Sequence, residues 1–156
     1  MINNIALYLV PENIYLIANW GVVPLWLMVL LMPNHGLTKF FVNSVVVPIL
    51  LGVAYIFLSY EIFLNENILD VFNLYFGLDN LYAIFSNESF LLIFWLHFLS
   101  ISLFVGSWIS SDSQKYMVPR LLTSISLILT YFTGPIGLLF YWFVRIFFSR
   151  KISFND

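Results

Sequence analysis

The chain has 156 residues, 62% of them apolar and only 9% charged, with six Lys/Arg against eight Asp/Glu. Four runs carry no formal charge at all (13–38, 40–60, 89–111 and 121–144), and each is as long as the roughly 20 apolar residues that cross a bilayer. This excludes a soluble globular domain, and a net charge of −2 leaves no basic footprint for nucleic acid.

Taken in chain order, the N-terminal stretch Met1-Ile2-Asn3-Asn4-Ile5-Ala6 has neither a basic n-region nor a small-residue cleavage site, so the first span is expected to stay in the mature protein. That span is predicted over 14–32 with Pro24 near its middle, a position that kinks membrane helices. Pro33-Asn34-His35-Gly36 is a turn signal and closes it. The second span, 40–60, contains Pro48 and ends at Glu61. Residues 61–88 hold five of the eight acids and no Lys/Arg, while Ile68, Val71, Tyr75, Leu78, Tyr82 and Phe85 recur at helical spacing. Two readings of this segment stand side by side: one or two amphipathic helices over 67–86 lying in the interface, broken at Gly77, or a loop cap on a helix bundle. A third span is predicted over 90–109. A fourth, over 121–148, is read as one broken helix, because division at Gly134-Pro135 leaves pieces of about 13 residues that are each too short to cross. The predicted fold is all-α: a single polytopic membrane four-helix bundle with an amphipathic interfacial segment between spans two and three.

In lipid, small and polar residues mark packed helix faces. Span two carries Ser44, Pro48, Gly52, Tyr55 and Ser59 on one face, and span three carries His97, Ser100, Phe104, Ser107 and Ser111. Span four carries Thr123, Ser126, Thr130, Thr133, Gly137 and Tyr141, with Arg145 one turn further. The three faces are expected to converge on a common interior, as packing surfaces or as the polar lining of a cavity. His97 is the ionisable group deep inside a span and the candidate catalytic residue, acid if protonated and base if neutral. Asp112, 15 residues on, lies about 22 Å along an ideal helix from His97, too far to share one reacting centre. Arg145, near a helix end, is expected to snorkel. With no cysteine and only two histidines, cysteine-ligated zinc, ordinary iron–sulfur ligation and histidine-cluster di-iron chemistry are excluded, and no metal or cofactor is implied. The 17 Phe, nine Tyr and five Trp suit interface belts or the lining of a flat apolar ligand. Basic flanks of the first three spans favour cytoplasmic short loops and therefore both termini outside.

Trp95-Leu96-His97, then Leu103-Phe104-Val105-Gly106-Ser107-Trp108-Ile109 with Asp112, the later Gly134-Pro135-Ile136-Gly137-Leu138-Leu139, and Pro33-Asn34 after the first span form a recognisable set. Together they resemble the abscisic-acid-deficient-four-like family of small four-helix membrane proteins, over most of the chain from about Ala18 to Arg145. The resemblance implies carotenoid chemistry in a bacterial inner membrane or an equivalent bilayer. Plant members are associated with the conversion of violaxanthin to neoxanthin, an isomerisation that opens an epoxide and leaves an allene. The candidate site combines His97 as catalyst with Trp95, Ser100, Ser102, Thr130, Gly134, Gly137, Tyr141 and Arg145 around the substrate. The family usually has an acid where this chain has Ser102. Membrane lipid and a carotenoid or other isoprenoid are the expected partners. The two functional readings are an isomerase acting within the bilayer and a non-catalytic pigment-binding or assembly protein.

Overall fold

The computed structural model describes residues 10–44, 46–65 and 68–150. Among them the chain is all-α. In order come α1 (Pro11–Leu31), a short α2 (Gly36–Phe41), α3 (Val46–Asn65), a 3-10 helix (Ile68–Tyr75), α4 (Leu78–Phe85), α5 (Glu88–Lys115), α6 (Arg120–Thr133) and α7 (Pro135–Ser149). Two of these, α1 and α5, are long and apolar enough to cross a membrane. Pro24 lies inside α1 without ending it.

The turn signal after α1 is a turn. His35 caps α2, its Nδ1 accepting from the Leu37 backbone N–H at 3.2 Å, and the buried Thr38 hydroxyl donates to the Met32 carbonyl at 2.6 Å. A side-chain donor thus serves one of the carbonyls that the end of α1 leaves open. The segment between α3 and α5 is helical in two pieces that meet at Gly77, whose φ of +145° belongs to a region that side-chain-bearing residues avoid. Tyr75, Leu78 and Tyr82 of its predicted apolar face are all more than three-quarters exposed. The side chains of Ile68 and Val71 on that face lie outside the described residues.

The chain divides into two compact units, 1–21 with 48–99, and 22–47 with 100–156. The first has a core of aliphatic side chains, among them Ile14, Leu58, Leu92 and Leu96. Beside it Tyr15, Trp95 and Phe98 form a run of rings with centroids 6.3 and 5.4 Å apart, and Phe85 of α4 meets Phe94 of α5 at 4.9 Å. All six Lys/Arg fall in the second unit, whereas the first holds six acids and no Lys/Arg.

The second unit corrects the reading of residues 121–148. Gly134 ends α6 and starts α7 with φ +61° and ψ −86°, a conformation open to glycine rather than to a residue with a Cβ. Directions follow from contacts. Trp26 of α1 meets Tyr131 of α6 edge-on at 5.5 Å, and the same indole covers Gly106 of α5 so closely that a Cβ there would lie 2.6 Å from it. Residues 106 and 131 are therefore level, and α6 runs antiparallel to α5. On α7, Tyr141 meets Trp108 and Asp112, and Arg145 meets Asp112 and Tyr116, so α7 runs parallel to α5. The two helices make a hairpin that reverses at Gly134. They are 14 and 15 residues long, about 21 and 22 Å, against a hydrocarbon core of about 30 Å.

Burial also redraws the packed faces. On α6 and α7 the predicted stripe is the buried one: Thr123, Ser126, Thr130, Tyr141 and Arg145 are all under 9% exposed, and Gly137 is buried with them, although Thr133 is exposed. On α5 the buried side instead carries Leu92, Leu96, Leu99, Leu103, Ser110 and Ser113, whereas Phe104 and Ser111 are exposed. Long aliphatic side chains outweigh serine hydroxyls in choosing the inward side of this helix. Among the described side chains of α3, Val47, Leu51 and Leu58 are buried, while Tyr55 is exposed.

Candidate functional site

The cluster of the second unit is built from two positions on α5, the turn residue that follows it, and two positions on α7. Trp108 and Asp112 are spaced by four on α5 with Tyr116 just past its end, and Tyr141 and Arg145 by four on α7, so each helical pair lies on one face. Asp112 Oδ2 accepts from the Tyr141 hydroxyl at 2.7 Å and from Arg145 Nε at 2.7 Å. The Arg145 and Asp112 side chains are 1% and 9% exposed. The Arg145 guanidinium lies over the Tyr116 ring at 4.8 Å, and Trp108 meets Tyr141 edge-on at 5.5 Å. The aromatic walls keep the carboxylate dry, and in such surroundings a charge-assisted hydrogen bond is stronger than in water. Arg145 does not snorkel: its side chain points to Asp112 rather than to a helix end in solvent.

One close approach positions this cluster. A Cβ on Gly137 would lie 2.1 Å from the Thr130 backbone nitrogen and 2.2 Å from its Oγ1, so glycine alone lets the first turn of α7 rest on the last turn of α6. The hydroxyls on α6 are satisfied within their own helix: Ser126 donates to the Leu122 carbonyl at 2.9 Å and Thr130 to that of Ser126 at 2.8 Å. This lets α6 present a smooth inward face with no donor left over.

Of the residues named from sequence, Ser102, Thr130, Gly134, Gly137, Tyr141 and Arg145 all belong to the second unit, with Ser100 at the start of its second segment. Ser102 and Thr130 are buried and Ser100 is half-buried. Trp95 and His97 belong to the first unit, where Trp95 stacks on Phe98 and His97 stands on the exposed face of α5. Asp112 and Tyr116 are the residues that sequence reasoning passed over. Their signal was present as the matched four-residue spacings on two helices. Asp112 was measured only against His97, on its own helix, and never against Arg145.

A scan of protein-family models matches residues 13–141 to ABA DEFICIENT 4-like. The chain belongs to the ABA DEFICIENT 4-like family. The match takes in both long helices, the Gly134 turn and, within the cluster, Asp112, Tyr116 and Tyr141; Arg145 follows four residues beyond its end. No curated protein and no solved structure matches the chain.

Proposed function

We propose that this protein is an integral membrane isomerase for a carotenoid epoxide or a related isoprenoid, and that Asp112, Tyr141 and Arg145 handle the proton. The observation that carries this is the shared oxygen. One carboxylate oxygen lies 2.7 Å from a phenol and 2.7 Å from a guanidinium nitrogen, in a chain with very few ionisable groups away from its helix ends. Opening an epoxide to an allene needs a base for a polyene proton and an acid for the oxygen. The Asp112 carboxylate removes the proton from the polyene carbon. The electron pair left there forms the second double bond of the allene as the adjacent C–O bond breaks and its electrons pass to oxygen. Tyr141 gives that oxygen its phenolic proton, and Asp112 returns the proton it took through the existing hydrogen bond. Atoms and charge balance, as an isomerisation requires. Arg145 holds the negative charge as it passes between carboxylate and phenolate.

Expression in a host that accumulates violaxanthin tests this. A new allenic isomer is expected, lost in Tyr141→Phe and Asp112→Asn. Loss in His97→Ala with activity kept in Tyr141→Phe would move the proton chemistry to His97. The complete burial of Tyr141 and Arg145 favours the second reading, a non-catalytic pigment-binding or assembly protein with the cluster as a structural clamp. Pigment that co-purifies with unchanged chemistry would support that reading.

The hairpin also bears on orientation. Arg120 Nη2 reaches the Leu31 carbonyl at 3.5 Å, so the C-terminal end of α1 lies beside the start of α6, and α7 returns its own C-terminal end to the same side. Lys115, Arg120 and Arg150 thereby gather at one end, which the bias of basic residues assigns to the cytoplasm. The N-terminal end of α1, 21 residues and about 31 Å away, is then outside. The chain contains no cysteine, so single-cysteine variants report position without background. Met117→Cys and Arg150→Cys should react with a membrane-impermeant maleimide only from the cytoplasmic face, and Glu12→Cys only from the opposite one. Labelling of Arg150→Cys from outside would restore a fourth crossing.

A further inference from the structure

Within the second unit, two cavities follow one another along the groove between α1 and α6 and share Leu30 and Leu127 as their common wall. The first, about 160 Å3, is apolar and is lined by Trp26, Tyr131 and Phe132 together with aliphatic side chains. The second, about 220 Å3, brings together Asn34, Gln114, Arg120 and Ser124 with the buried Ser110, Ser113 and Thr123 and several apolar side chains. Along α1 the apolar part extends from Val23 to Leu30, about 10 Å. Its outer rim is open: Leu27, Ile128 and Phe132 are 49%, 47% and 71% exposed.

We infer that this groove binds an anionic phospholipid of the surrounding bilayer, phosphate against Arg120, Asn34 and Gln114 and one acyl chain along Trp26 and Tyr131. Three observations fix the chemistry of the head. Arg120 is the first residue of α6, where the helix dipole is already positive, so a cation there is unfavourable until an anion joins it. Its bond to the Leu31 carbonyl is long, at 3.5 Å, and engages one of the five N–H donors of a guanidinium. Among the described residues the unit holds one acid, Asp112, and it is committed to Arg145 and Tyr141. The apolar slot that continues from the polar cavity and opens sideways fixes the rest, because a free anion would leave it unfilled. Pro33 and Asn34, which drew attention in the sequence without entering the proposed chemistry, form part of the head cavity. The orientation argued above puts this site at the cytoplasmic leaflet, where anionic lipids concentrate.

Trp26 lies in the slot, so it reports the occupant. The protein is reconstituted in phosphatidylcholine vesicles containing a minor fraction of either phosphatidylglycerol or phosphatidylcholine with brominated acyl chains. The Trp26 signal is taken as the difference from Trp26→Phe. A basic side chain near an anionic surface is worth about 1 kcal/mol, which corresponds to a preference of about fivefold for the brominated phosphatidylglycerol as quencher. Arg120→Gln should remove that preference and Arg120→Lys should keep part of it. Ser124→Phe, which fills the head cavity without changing charge, should remove it as well and covers the case in which Arg120→Gln fails to fold. Lys115→Gln, at the same end but outside the cavity lining, should leave the preference unchanged. Equal quenching by the two lipids would overturn the assignment, as would a preference lost equally in Lys115→Gln, which would mean diffuse surface charge. Displacement by inorganic phosphate at constant ionic strength would also overturn it in favour of a free-anion site.

Discussion

Gly137→Ala is expected to destabilise the protein by about 3 kcal/mol, the upper part of the range for overpacking a close contact. Most small-to-large changes meet the end of a flexible side chain that can swing aside. Here the methyl group would meet the Thr130 backbone nitrogen at 2.1 Å and its Cα at 2.5 Å, and backbone yields only if α6 and α7 part. Separation of the two helices would carry Tyr141 and Arg145 away from Asp112, so the variant should lose thermal stability in detergent and any pigment chemistry together. Gly21→Ala is the matching control, since nothing lies within 4 Å of its added methyl, and there the better helix propensity of alanine favours the fold. The measurement is the midpoint of thermal aggregation for the two variants against the parent.

The second large effect belongs to the ion pair. Asp112→Leu is expected to destabilise by about 3–5 kcal/mol, because it leaves the buried guanidinium without its carboxylate. The double variant Asp112→Leu with Arg145→Met should recover most of that loss, since replacing both members of a buried pair by apolar residues of similar size is often close to neutral. The interaction term of the double-mutant cycle separates this coupling from general damage. Denaturation in mixed micelles gives the four stabilities. Pigment analysis of the same four proteins tells a structural clamp from a reacting centre: a stable double variant that still forms the isomer excludes the cluster from the chemistry.

The long helices were legible from charge alone, because burying a formal charge in hydrocarbon is unfavourable enough to empty whole segments of Lys, Arg, Asp and Glu. The turn at Pro33-Asn34-His35-Gly36 and the break at Gly77 were legible from local backbone preferences. The hairpin was not. Gly134-Pro135 reads the same whether a helix bends or reverses, and the contact that decides between them, Gly137 on Thr130, joins residues whose proximity no periodicity encodes. Arg145 was misjudged for a related reason. Position near a helix end suggests escape to water, but α7 doubles back and brings that end against Asp112. The stripe on α5 failed because it ranked serine above aliphatic residues as a sign of packing, whereas the inward face there carries Leu92, Ile93, Leu96, Leu99, Leu103 and Ile109 beside Ser102, Ser110 and Ser113.

Asp112 and Arg145 are 33 residues apart in the chain, and this separation imposes an order on biogenesis. When α5 has been made, the one cation near Asp112 on its own helix is Lys115, and the Arg145 that bonds its carboxylate is not yet synthesised. Only after Arg145 has been synthesised and α7 has doubled back does the carboxylate gain the partner that makes its burial favourable. The pair therefore works as a late latch: a chain truncated between the two helices of the hairpin would leave Asp112 without the partner that its burial requires.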